Sequence, residues 1–128
     1  RQDYKEALRW YRLAAAQGFA GAQFNLGVMY HTGRGVLQDY KEALRWYRLS
    51  AEQGNANAQG NLAVLYAFGD GVIKDYVYAH MWGNIASMNG NGKGTALRDD
   101  FAKKMTPADI SKAQHLAREC VAKNYKGC

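Results

Sequence analysis

The sequence predicts an all-α fold, a solenoid of stacked helical hairpins closed by a C-terminal capping helix, and three observations predict it. Residues 2–37 and 38–73 superpose at a period of 36 with 25 of 36 positions identical, and such periods mark stacked supersecondary units. The run 2–13 recurs unchanged at 38–49, and a degraded copy opens at Asp75 and keeps Tyr76 and Trp82. One proline and fourteen glycines in 128 residues, set among alanine-rich periodic stretches, point to helices joined by glycine turns and away from a sheet protein. On this reading the chain is one domain, 1–128, with repeat 1 at 2–37, repeat 2 at 38–73, a degenerate repeat 3 at 74–105 and a cap at 106–128.

Each unit reads as two helices, A over about 3–16 and B over about 20–31, parted at Gln17 and Gly18, where glycine ends a helix cheaply. The linker 32–37 holds two glycines and leads to Asp39, whose carboxylate suits the N-terminus of the next helix; Gly69, Gly71 and Asp75 repeat the device. At about 100° per residue, Ala7, Trp10, Tyr11 and Ala14 share one face of helix A, and Lys5, Arg9 and Arg12 share the opposite one. Helix B spaces Ala22, Leu26, Met29 and Tyr30 along one face, with Ala22 and Gly27 small enough for a neighbour to come close. Trp10, Trp46 and Trp82 recur with the period and are expected as core between repeats, not as a base-stacking platform. After Gly90 the pattern loosens, because Leu97 stands one residue ahead of the period, and a shortened B helix is expected over about 95–104. Thr106 as N-cap, Pro107 at the first helical position and Asp109 at the third open a last helix. Its apolar face is Ile110, Ala113, Ala117, Cys120 and Val121, as a capping helix requires.

Composition bounds the function classes. With 48% hydrophobic and 22% charged residues and a mean hydropathy of −0.48, the chain fits neither a disordered acidic tail nor a membrane protein. No apolar run approaches membrane-spanning length, so no membrane insertion is expected. Seventeen Lys and Arg against eleven Asp and Glu give a formal charge of +6, which favours anionic partners. Eight basic and five acidic residues stand before residue 55 and nine and six after it, so there is no basic tail. Beginning at Arg1 without Met, the chain reads as a processed or excised piece.

The sequence holds no Ser-x-x-Lys, Gly-x-Ser-x-Gly, His-Glu-x-x-His or Cys-x-x-Cys arrangement, so neither an enzyme activity nor a cofactor or metal is expected. Residues 90–95 superficially suggest a phosphate loop, but Ser87 stands where its first glycine is needed and Gly94 follows Lys93; a turn between helices is the expectation. His31, His80 and His115 lie in different units without metal-ligand spacing and are expected at the surface or in turns.

Ala7, Trp10, Ala14, Ala15, Gly18, Ala22, Leu26, Gly27, Tyr30, Gly33, Gly35, Val36 and Asp39 together form a pattern that resembles the Sel1-like repeat family, relatives of the tetratricopeptide repeat. Nearly all have equivalents in the second unit, where Ala63 departs from glycine. The resemblance covers about residues 2–90 and implies a right-handed superhelix of α/α hairpins whose A helices line the concave surface. It also implies a scaffold that binds other proteins, of the kind used in assembling complexes, in signalling and in host contact by bacteria.

Three sets of residues are candidate sites. Lys5, Arg9, Arg12 and their period mates Lys41, Arg45 and Arg48 would align by stacking as six cations, suited to an acidic peptide or protein segment through charge-assisted hydrogen bonds. The competing reading is an ordinary solvated face partly neutralised by Glu6 and Glu42. In the third unit those positions become Val77, Met81 and Asn84, with Met88 in place of Glu52, so Val77, Met81 and Met88 offer either an adaptable apolar pocket for a partner or a face that the closing segment or another subunit covers. Cys120 and Cys128 can close a disulfide, since four helical residues advance about 6 Å and four extended ones return about 13 Å; two free thiols are the alternative. Family members ending in a similar pair are typically exported, so the resemblance implies a bacterial periplasmic or secreted setting. Nucleic-acid binding by the same stripe is opposed by its interleaved acids, and a hydrolase acting on cell-wall or β-lactam substrates lacks its serine motif.

Overall fold

Asp3, Asp39 and Asp75, one period apart, each accept hydrogen bonds from the backbone amides two and three residues on, at 2.9–3.2 Å. Each such cap stabilises its helix by about 1 kcal/mol. The computed structural model describes residues 3–128; Gln2, the first residue of repeat 1, lies outside the described residues. Seven helices follow in order among the described residues: α1 (Tyr4–Ala16), α2 (Ala20–Thr32), α3 (Tyr40–Ala51), α4 (Ala56–Phe68), α5 (Tyr76–Met88), α6 (Gly92–Ala102) and α7 (Pro107–Ala122). None is long and apolar enough to cross a membrane.

Helices α1, α3 and α5 are the A helices and α2, α4 and α6 their B partners. Each of α2 and α4 packs on the next A helix more extensively than on its own, which welds the units into an array. At the first junction Gly27 allows this: a Cβ there would lie 2.6 Å from the Tyr47 ring, so glycine lets that ring press close against α2. Tyr47 is fully buried and hydrogen bonds His31 Nδ1 at 3.0 Å; burial pushes its hydroxyl up to about 12. The linkers fold back on the start of their own A helix. Gly71 has φ +74° and a Cβ on it would stand 2.7 Å from the Tyr40 carbonyl carbon, so a side chain is excluded twice over.

Buried amides add a second set of joints. Gln23 and Gln59, one period apart, donate from Nε2 to the carbonyls of Ala15 and Ala51 at 3.3 and 3.1 Å. Their Oε1 atoms accept from Gln53 and Asn89 of the following unit at 2.8 and 2.9 Å. Ser50 Oγ likewise donates to the Ala20 carbonyl at 2.7 Å. These buried polar groups are thereby satisfied and also fix the register between units.

Three expectations change. Trp10 is 60% exposed, with its Nε1 donating to Glu6 at 3.0 Å. Its mate Trp46 packs against the α1/α2 cluster and Trp82 is fully buried, but no described helix lies before α1 to cover Trp10. Helix α6 begins at Gly92, not near residue 95, because Asn91 accepts from the Gly94 amide as N-cap at 3.0 Å, as Asn55 does for Ala58 one period earlier. The glycines of 90–95 thus mostly form a helix's first turn. His80 is 3% exposed, not at the surface, and stands where Leu8 and Leu44 stand in the other units.

The His80 environment carries a pH prediction. Burial, reinforced by Arg98, holds its pKa below the ordinary 6.5, with Asp99 opposing, and its Nδ1 has no hydrogen-bond partner among the described residues. His31 is shifted the same way by burial, with Asp70 opposing. The unfolded chain therefore takes up these protons first, so stability present above about pH 6.5 is lost as pH falls from there through the depressed folded values. Replacing His80→Leu removes one such group and the orphaned nitrogen. The expected result is a gain of about 1 kcal/mol at neutral pH and a shallower fall of melting temperature on acidification; an unchanged slope would refute it.

Candidate protein-binding surface

The exposed side of α1 and α3 is built from a four-residue helical spacing repeated one period later. On α1 it carries Lys5, Arg9 and Arg12, and on α3 Lys41, Arg45 and Arg48; all are exposed except the half-buried Arg48. Arg9 Nη2 donates to both oxygens of Glu6 at 2.7 and 2.9 Å, and Arg45 donates to both oxygens of Glu42 at 3.1 Å. That pairing raises the Arg45 pKa, and the guanidinium also lies 4.5 Å over the Trp46 ring. Exposed pairs of this kind contribute about 0–1 kcal/mol, so they orient the cations more than they stabilise the fold.

Arg12 and Arg48 are held differently. Each donates from Nη2 to the hydroxyl of a tyrosine eighteen residues on, Tyr30 at 3.0 Å and Tyr66 at 2.5 Å. A neutral phenol fixes the guanidinium without cancelling its charge. Lys5 and Lys41 form no ion pair among the described residues. Leu13 and Leu49 add apolar surface beside the cations at 53% and 37% exposure. Tyr30, Tyr66 and the two leucines escape a reading for charge alone; their signal is identity one period apart.

The third unit departs from this pattern. Met81, at the position of Arg9 and Arg45, is 1% exposed because α7 packs across α5, so it is corrected from a partner-binding residue to part of the core. It lines a small cavity with Tyr78, Leu116, Glu119 and Cys120. Val77 is half-buried, and Met88 alone of the three is exposed, at 54%. Asn84 accepts from Arg98 at 3.1 Å, and Gly83 lies so close to α6 that a Cβ on Gly94 would be 2.7 Å from its carbonyl oxygen. Within this stripe Met81 belongs to the closure of the array, while Met88 stays open.

Cys120 and Cys128 form a disulfide that ties the tail after α7 back onto it. Such bridges persist in oxidising compartments. With a sequence separation of 8, loop entropy assigns it about 2.5 kcal/mol. Melting with and without reductant should show that loss, and a reduced protein as stable as the oxidised one would contradict it.

Residues 1–19, 20–55 and 56–91 match the Sel1 repeat family. The second and third segments pair α2 with α3 and α4 with α5, the intimate junctions described above. Two solved structures are similar at 38% identity. One is c5321, described as a protective antigen present in uropathogenic Escherichia coli strains and displaying an SLR fold, with a TM-score of 0.90 over 94% of this chain and 27% of that one. The other is a Sel1 repeat protein from Oxalobacter formigenes, with a TM-score of 0.76 over 87% of this chain and 46% of that one. The chain thus spans about a quarter of the first and under half of the second. No curated protein matches it. With three repeat matches running from residue 1 to 91 and the same solenoid in both neighbours, this chain belongs to the Sel1 repeat family.

Proposed function

We propose that this Sel1 repeat solenoid, a fold that generally serves as a protein-protein interaction scaffold, binds an acidic protein segment on the A-helix face of its first two units and performs no chemistry itself. The observation that carries the reading is the anchoring of Arg12 by Tyr30 and Arg48 by Tyr66 in both units. A guanidinium already held in place loses less freedom when it meets a carboxylate, so more of the hydrogen-bond energy goes into affinity. Glu6 and Glu42 each engage one arginine, and Lys5, Lys41, Arg12 and Arg48 form no ion pair among the described residues. An exported setting, periplasmic or secreted, is our reading for this encounter; the disulfide, which persists in oxidising compartments, and the bacterial sources of the two neighbours support it.

The test is recovery of proteins from extract of the source organism on immobilised wild type and on the Arg9→Glu, Arg12→Glu, Arg45→Glu, Arg48→Glu variant, after circular dichroism shows equal helicity. Proteins held by wild type and eluted by salt should be absent from the variant. Equal recovery on both would reduce the stripe to a solvated face.

A further inference from the structure

We infer that the occupant of the open basic stretch is an amphipathic helix with an acidic face, not an extended peptide. This rests on the reading of the stripe as a protein-binding surface and names the form of the partner.

The chain already seats one helix on this side of the array. Helix α7 packs on α5, an A helix, and lines a cavity with Tyr78 and Met81. Those two positions are the period mates of Glu6 and Glu42 and of Arg9 and Arg45. Helix α7 buries Ala113, Ala117 and Cys120, small residues that let its backbone come near. The position left open at Leu13 and Leu49 is closed at Ile85, which is fully buried. Beyond α7 the tail reaches back to the second unit, where the Tyr125 ring lies beside Gly54, while its hydroxyl donates to Asn89 of the third unit at 3.2 Å.

The same positions in units 1 and 2 keep their helical spacing and change their chemistry. In the third unit, Tyr78 and Met81 meet Leu116 and Cys120 of α7. A basic receptor with Leu13 and Leu49 alongside calls for a helix with carboxylates three and four residues apart and an apolar seam beside them.

Backbone chemistry separates a helix from an extended chain. A surface of helices offers a ligand side chains only, since its own amides and carbonyls are paired within the helices. An extended peptide brings unpaired carbonyls, to which these cations can donate, but also as many N–H groups, which need acceptors wherever the contact excludes water. Lys5, Arg9, Arg12, Lys41, Arg45 and Arg48 are donors only, and the acceptors among them, Glu6 and Glu42, are taken up by Arg9 and Arg45. A helix arrives with its backbone satisfied and presents only carboxylates and apolar side chains.

The experiment measures fluorescence anisotropy of three labelled peptides of α7's length on the full chain. One is a lactam-stapled helix with glutamates at i, i+4 spacing and leucines beside them. The second has the same charge with prolines that forbid a helix, and the third is the stapled helix with lysine for glutamate. The stapled acidic helix should bind at least about tenfold more tightly than the proline peptide. It should lose that advantage on the Arg9→Glu, Arg12→Glu, Arg45→Glu, Arg48→Glu variant and weaken on Leu49→Ser, both checked for unchanged melting. A proline peptide that binds as tightly overturns the helix and leaves the basic surface standing. An acidic helix that binds no better than the lysine helix overturns both.

Discussion

Replacing Trp82→Ala is expected to cost about 3–5 kcal/mol, measured as the shift in urea midpoint at unchanged slope. Trp82 is fully buried in the main core, where α5 meets α4, and its removal leaves a cavity that helices fixed on both sides cannot close. Against a total stability of about 5–15 kcal/mol, that endangers the array. Its Nε1 has no hydrogen-bond partner among the described residues, so Trp82→Phe should cost far less, since it deletes an unsatisfied donor with part of the ring. The period mate Trp10→Ala should cost under about 1 kcal/mol, because that ring is 60% exposed. Equal costs at the two positions would contradict the burial pattern and with it the stacking of units.

Deleting residues 106–128 is the second large effect. It strips α7 from α5, uncovers Met81, and removes Ala117 and Cys120 from the main core. The expected product melts lower by more than about 10 °C and self-associates through the bared apolar face of α5. Sedimentation and thermal melts read both. A monomeric truncation with unchanged melting would show that α7 is dispensable and that the face it covers needs no cover.

The fold was legible wherever its determinants are local and repeated. Asp3, Asp39 and Asp75 mark three helix starts, and Thr106 with Pro107 marks a fourth, because a cap needs only a residue type at a fixed offset. The start of α6 was obscured by Leu97, one residue out of phase, although Asn91 keeps its place one period after Asn55. Identity does not carry environment, however. Trp10 and Trp82 are the same residue at equivalent positions, and their burial differs because among the described residues a unit packs before Trp82 and none before Trp10. Met81 is decided by α7, whose residues begin 26 positions later in the chain, and no local pattern reports that contact. The cations of the candidate surface were legible as a stripe. Their phenol anchors and flanking leucines required the packing of B helices against A helices to be seen.

On the proposed reading, cations placed on α1 and α3, and not the chain's net positive charge, recognise an acidic partner. The most direct measurement compares the affinity of the stapled acidic helix for wild type, for the four-arginine reversal on α1 and α3, and for a charge-matched reversal at the exposed Lys74, Lys103, Lys112 and Lys126. Kd is expected to rise at least about tenfold for the first reversal and to stay within about twofold of wild type for the second. Equal weakening in both would mean that the partner reads overall charge, and the A-helix face would lose its claim to be a site.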